Sequence, residues 1–104
     1  DGRFLAVGGS DSTSIYANAD IYDPASGLWS ATDPMAVVRM NFTATLLADG
    51  TVLAAGGRIP APDFYTNSSE RFDPATGTWS SAGTFSGRRS GHRATRLTDG
   101  KVLV

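Results

Sequence analysis

Apolar residues along this chain fall in short runs separated by polar turns. Arg3 to Val7, Ala19 to Tyr22, Leu28 to Ser30, Phe42 to Ala48, Thr51 to Ala55, Ser69 to Phe72 and Thr78 to Ser80 are all too short for a helix. Each is bounded by Gly, Pro, Asp or Ser, so each reads as a β-strand. The runs that do not alternate, such as Val52 to Ala55, fit strands covered on both faces. Asp23-Pro24-Ala25-Ser26-Gly27 predicts a turn between two strands, with Pro24 presetting φ, Asp23 accepting from the following amides and Gly27 left-handed. Asp49-Gly50 predicts a second hairpin through a two-residue type I′ connection. The expected class is all-β, in four-stranded antiparallel sheets.

The pattern repeats. Asp49-Gly50-Thr51-Val52-Leu53-Ala54-Ala55-Gly56-Gly57 has the layout of Asp1-Gly2-Arg3-Phe4-Leu5-Ala6-Val7-Gly8-Gly9, and Asp99-Gly100-Lys101-Val102-Leu103-Val104 opens a third copy. Gly8 to Gly56 is a step of 48, whereas Tyr22 to Phe72, Asp23 to Asp73, Gly27 to Gly77, Trp29 to Trp79 and Arg39 to Arg89 are steps of 50. The two extra residues therefore lie between Gly57 and Glu70, in the proline-stiffened loop Arg58 to Asn67. Paired glycines at 8–9 and 56–57 end a strand where positive φ and close backbone approach are needed. Units near 50 residues cannot bury their faces alone, and insertions in such repeats map to loops on one face.

A double glycine, an aromatic-Asp-Pro turn (Tyr22-Asp23, Phe72-Asp73), Gly-x-Trp (Gly27 to Trp29, Gly77 to Trp79) and an arginine (Arg39, Arg89) resemble the kelch motif in order and spacing. The hairpins Leu47 to Leu53 and Leu97 to Leu103 are most similar to kelch repeats of galactose oxidase and its bacterial relatives. The resemblance implies a kelch-type β-propeller fragment across residues 1–104. Residues 1–41 would hold strands two to four of one blade, 42–90 a complete blade, and 91–104 the first hairpin of the next. Both tryptophans would wedge between blades at comparable depths. Other blades, in cis or through oligomerisation, would be the partners, because rings close with roughly four to eight blades. One kelch feature varies: the histidine expected shortly after the arginine is His92 in one unit and Phe42 in the other.

Composition narrows the chemistry. Net charge is −1 with scattered cations, which favours neither nucleic acid nor an anionic membrane surface. There is no cysteine, and no apolar run is long enough to span a bilayer. His92 is the only histidine and has no metal-ligand spacing around it, so neither a metal site nor a catalytic residue is expected in this segment. It is expected to bond across a blade at a strand start. Asp23 and Asp73 are expected to form turns.

Candidate ligand-binding residues are Arg39, Arg88 and Arg89, which kelch resemblance places near one end of the central channel, where guanidinium groups can meet an acidic ligand. The alternative role for such an arginine is a salt bridge between blades, with Asp20 or Glu70. Arg58, Asp63, Phe64 and Tyr65 give the longer loop the composition of a recognition surface, with packing on the next blade as its alternative. The Asp11 to Tyr16 loop would share that face. The expected function is a non-catalytic scaffold binding protein or carbohydrate. The alternative implied by resemblance is the scaffold of a galactose oxidase-like copper-radical oxidase, an enzyme that oxidises primary alcohols with copper and a Tyr-Cys crosslink. Its catalytic residues, and copper as cofactor, would then lie outside this chain. The same resemblance implies an extracellular or cell-surface location.

Overall fold

The computed structural model describes residues 2–104; Asp1, the first residue of the opening turn, lies outside the described residues. Nine strands form three antiparallel sheets among the described residues. The first sheet is β1 (Phe4–Val7), β2 (Ala19–Asp23) and β3 (Leu28–Ala31). The second is β4 (Thr43–Leu46), β5 (Val52–Ala55), β6 (Ser68–Asp73) and β7 (Thr78–Thr84), in that order. β8 (Thr95–Arg96) and β9 (Val102–Leu103) make a short third hairpin. There is no helix among the described residues.

Register shows the sheets to be copies. Phe4, Tyr22 and Trp29 lie side by side across the first sheet, as Val52, Phe72 and Trp79 do across the second. Tyr22 and Trp29 rings sit 5.0 Å apart, and so do those of Phe72 and Trp79. Each Asp-Pro turn closes alike: Asp23 Oδ1 accepts from Ala25 N and Asp73 Oδ1 from Ala75 N, both at 2.9 Å. Gly27 N and Gly77 N return to the Asp23 and Asp73 carbonyls.

The core lies between the first two sheets. Its buried apolar residues are Ala19 and Ile21 of β2, Ala54 and Ala55 of β5, Phe72 of β6 and Met35 of the crossing segment. Burying a side chain the size of phenylalanine contributes about 2 kcal/mol. Phe72 is 1 % exposed. Trp29 departs from expectation. It is 59 % exposed, whereas Trp79 is half-buried and its Nε1 donates to the Asp33 carbonyl of the crossing segment. The two indoles make the same contact within their sheets but lie at different depths, since no described sheet covers the Trp29 side.

Three further details differ from the sequence reading. β7 runs to Thr84 and not Ser80, with a register shift against β6 between Ser68 and Glu70. Leu46 pairs with Val52, and Leu47 N donates to the Thr51 carbonyl. The hairpin loop is therefore Ala48-Asp49-Gly50 with only Gly50 at positive φ, a three-residue loop with a bulge in place of the type I′ turn. Asp49 stays right-handed because its Oδ1 accepts from Thr51 N at 3.0 Å and Thr51 Oγ1 at 2.6 Å. Those bonds, from Thr51 first, hold the Asp49 carboxyl below the usual carboxylate range.

Gly56 meets two constraints at once. Its φ is +68°, and a Cβ there would come within 2.8 Å of the Arg89 carbonyl and of His92 Cε1. Gly50 has a comparable φ of +87° but open space around it. Gly56→Ala should therefore cost about 2–4 kcal/mol and Gly50→Ala about 1–2 kcal/mol. Urea denaturation of the two variants checks the ordering, and equal losses would contradict it.

Candidate functional site

All sheets share one polarity. β5 ends, and β6 begins, at the end where Gly56 and Gly57 turn; the crossing segments and the long loops emerge there. The Asp-Gly and Asp-Pro turns occupy the opposite end. The glycine end therefore collects most of the candidate residues.

Arg39 is not on its surface. It is fully buried, and its guanidinium donates to the Gly56 carbonyl at 2.8 Å, the Ser68 carbonyl at 3.1 Å, Ser68 Oγ at 3.2 Å and Glu70 Oε2 at 2.8 Å. Only Nε lacks a partner. Glu70 is 4 % exposed and also accepts from Ala36 N at 2.7 Å and Val37 N at 3.2 Å. A ligand cannot reach this arginine, so the ligand-binding role is replaced by a latch between sheets. Sequence reasoning named Glu70 as one possible partner but missed the amides of Ala36 and Val37, which no side-chain pattern encodes.

Arg89 repeats the backbone geometry of Arg39. Gly57 N donates to its carbonyl as Gly9 N does to that of Arg39. Its side chain, half-buried, lies over the Phe85 ring at 5.5 Å with Nε donating to the Gly87 carbonyl. Arg88 is exposed and pairs with Asp63 Oδ1 at 3.0 Å. That pair joins the crossing segment to the long loop.

The long loop is held by backbone bridges from Arg58 to Met40 and to Tyr65. Phe64, at a φ of +62°, and Tyr65 are close to half exposed, and Arg58 and Asp63 are exposed as well. Its shorter counterpart folds around one carboxylate. Asp11 Oδ1 accepts from Thr13 N at 2.8 Å and Ser14 N at 2.7 Å, and Oδ2 from Tyr16 OH at 2.5 Å. These bonds, with Tyr16 first, hold the Asp11 carboxyl well below the usual range and push the Tyr16 phenol up. Tyr16 is itself 40 % exposed. One end of the protein thus presents three aromatic rings with fixed charges beside them.

His92 occupies the place that Phe42 holds one unit earlier: Phe42 packs on Gly8, His92 on Gly56. Its Nε2 meets Thr43 Oγ1 at 3.2 Å, and its buried Nδ1 has no partner. Among the described residues no group of three or more His, Cys, Asp or Glu could hold a metal ion.

Residues 40–86, which span β4 to β7, match the Kelch motif. Among solved structures, the chain superposes on a novel fungal alcohol oxidase with catalytic diversity among the AA5 family, in complex with copper, at a TM-score of 0.87 and 19 % identity. The match covers 97 % of this chain and 24 % of that one, so the chain spans about a quarter of that protein's length. At that identity the likeness is one of fold. No curated protein matches the sequence.

Two outcomes follow from this geometry. Arg39→Met leaves the Glu70 carboxylate buried without its cation and should cost about 3–5 kcal/mol, while Arg39→Met with Glu70→Leu should recover much of the loss. Chemical denaturation of both variants checks this, and an unaffected single variant would exclude the latch. Burial, and then the charge of Arg89, hold the His92 imidazole below its ordinary value near 6.5. On acidification the unfolded chain takes up that proton first, so the His92 contribution is complete above about 6.5 and shrinks below it until the folded state protonates too. His92→Phe should flatten the pH dependence of Tm in that window; an unchanged slope would show that another group carries it.

Proposed function

Because the fold is a kelch-type β-propeller, with one complete blade flanked by parts of two others, we propose that this chain is a non-catalytic scaffold with a binding face for a protein or carbohydrate at its glycine end. The observation that supports this reading is the pair Phe64 and Tyr65, each nearly half exposed on a loop held by the Arg58 bridges and tied by Arg88 to Asp63. Rings on a loop already ordered lose little entropy on binding, which is why aromatic anchors dominate recognition surfaces. Arg58, Asp63 and Tyr16 would add directional hydrogen bonds around them. An extracellular or cell-surface setting belongs to the same proposal.

The likeness to an alcohol oxidase in complex with copper supports a second reading, in which this chain is scaffold for such an oxidase. The metal ligands would then come from residues beyond this chain.

Binding to a glycan array and to a panel of purified proteins tests the first reading. Phe64→Ala with Tyr65→Ala should weaken any captured ligand at least about tenfold, while Leu28→Ala, at the opposite end, should leave binding unchanged. Absence of any ligand for the full protein, together with copper-dependent oxidation of primary alcohols, would decide for the oxidase.

A further inference from the structure

Between β5 and β6 the chain builds a small ladder of its own at the glycine end. Arg58 exchanges two hydrogen bonds with Met40, its amide donating to the Met40 carbonyl at 2.7 Å and the Met40 amide donating back at 3.0 Å. On its other side Arg58 stands opposite Tyr65. The bonds from Ile59 N to the Phe64 carbonyl and from Thr66 N to the Gly57 carbonyl flank that pair without joining its two members. This is the closer of the two antiparallel pairings, and directly opposite residues share a face. The Arg58 and Tyr65 side chains therefore leave the ladder together, with Cβ atoms about 4.5–5.5 Å apart.

The fold requires neither side chain. One unit earlier the same bridge joins Ser10 to Ile15, and Tyr16 N donates to the Gly9 carbonyl as Thr66 N does to that of Gly57. A serine and an aliphatic residue thus do the backbone work where the second unit carries a guanidinium and a phenol.

Charges around the ladder are unevenly used. Asp63 is paired with Arg88 at 3.0 Å, and the Asp11 carboxylate of the counterpart loop accepts from Thr13, Ser14 and Tyr16. The exposed Arg58 guanidinium has no carboxylate, carbonyl or ring against it among the described residues. With the carboxylates of both loops committed, this cation is left to complement an anion from outside.

The kind of anion follows from what the ladder offers. Strand addition by a peptide needs a free row of amides and carbonyls. Met40, Arg58, Ile59, Tyr65 and Thr66 have all spent their amides within the protein. What projects is an aromatic ring, 46 % exposed, with a planar double donor beside it. A pyranose carrying a carboxylate matches both, its apolar C–H face packing on the ring and its carboxylate taking two parallel N–H bonds from the guanidinium. The Tyr65 phenol can hold a sugar hydroxyl as donor or acceptor.

We propose that Arg58 and Tyr65 form a binding site for a uronic-acid glycan, a chain of sugars that bear carboxylates. The proposal rests on reading the glycine end as a binding face and names the ligand class of that face.

Isothermal titration calorimetry of the full chain at low salt, with tetramers of galacturonic, glucuronic and mannuronic acid, tests this. At least one should bind, and its methyl ester should bind at least about tenfold more weakly through loss of the charge-assisted bonds. Arg58→Gln should abolish the preference for acid over ester, with circular dichroism unchanged because the side chain is exposed. Tyr65→Ala should weaken both forms. Arg71→Gln, beside Asp49 at the opposite end, should change neither, which separates a site from general attraction of polyanions. Binding of none of the three acids, or a preference for acid that survives Arg58→Gln, overturns the proposal. A neutral glycan or a protein captured through Phe64 and Tyr65 and indifferent to Arg58→Gln overturns it while the binding face stands. Tetraglutamate bound as tightly as the best uronate, with the same dependence on Arg58, assigns the site to an acidic peptide and overturns it too.

Discussion

One buried ion pair determines how these sheets stand against each other. Apolar contact alone has no direction, and two twisted sheets can slide over a small core with little change in buried area. The Arg39 to Glu70 contact at 2.8 Å removes that freedom, because its remaining donors are spent on the carbonyls of Gly56 and Ser68. Glu70 in turn takes the amides of Ala36 and Val37, so the same carboxylate fixes the segment that leads into the next sheet. Burying both charges is costly, and an apolar pair would be no less stable. What the pair supplies is a defined position.

Much of the local sequence follows from making room for it. Ala54 faces Glu70, and Ala55, Gly56 and Gly57 continue the run of small residues toward the guanidinium. All four are buried. A larger side chain at Ala54 would crowd its neighbour Glu70, a Cβ at Gly57 would meet the Met40 carbonyl and Phe42, and one at Gly56 would meet the Arg89 carbonyl and His92. The small residues that end this strand therefore reflect the segments packed against it on both sides. The second tie between the sheets is of a similar kind: the Trp79 indole reaches the Asp33 carbonyl. Both ties run from a side chain to the same crossing segment, residues 32–42.

The strands, their order and the repeat were legible because each depends on local chemistry. Glycine at positive φ, Asp-Pro turns and short β-rich runs act within a few residues, and the 50-residue step aligns them without any tertiary knowledge. Depth was not legible. Trp29 and Trp79 have the same sequence surroundings and the same ring contact at 5.0 Å, yet only one has a sheet against it. The turn at Asp49-Gly50 was misjudged because two competing loops share that dipeptide, and the bonds from Thr51 to Asp49 select the longer one. Arg39 was placed among ligand-binding candidates since a sequence does not say which way a guanidinium points. The step of 50 from Asp20 to Glu70 already pointed to the alternative role, a salt bridge between blades: acidic residues at one repeat position, matched to arginines at another.

The two ends of the sheets divide the work. At the Asp-Pro and Asp-Gly end, each turn is closed by its own side chain, as Asp23, Asp73 and Asp49 show, and little is left to recognise a partner. At the glycine end the backbone has already been tied down by the crossing segments, so loops there can lengthen without loosening the sheets. Two added residues cost little in loop entropy. They nonetheless separate a compact loop wound around Asp11 from one that exposes Phe64 and Tyr65. A surface that varies while its supports stay fixed is where binding specificity can change fastest. That asymmetry, and not any single residue, is why the proposed binding face lies at this end of the molecule.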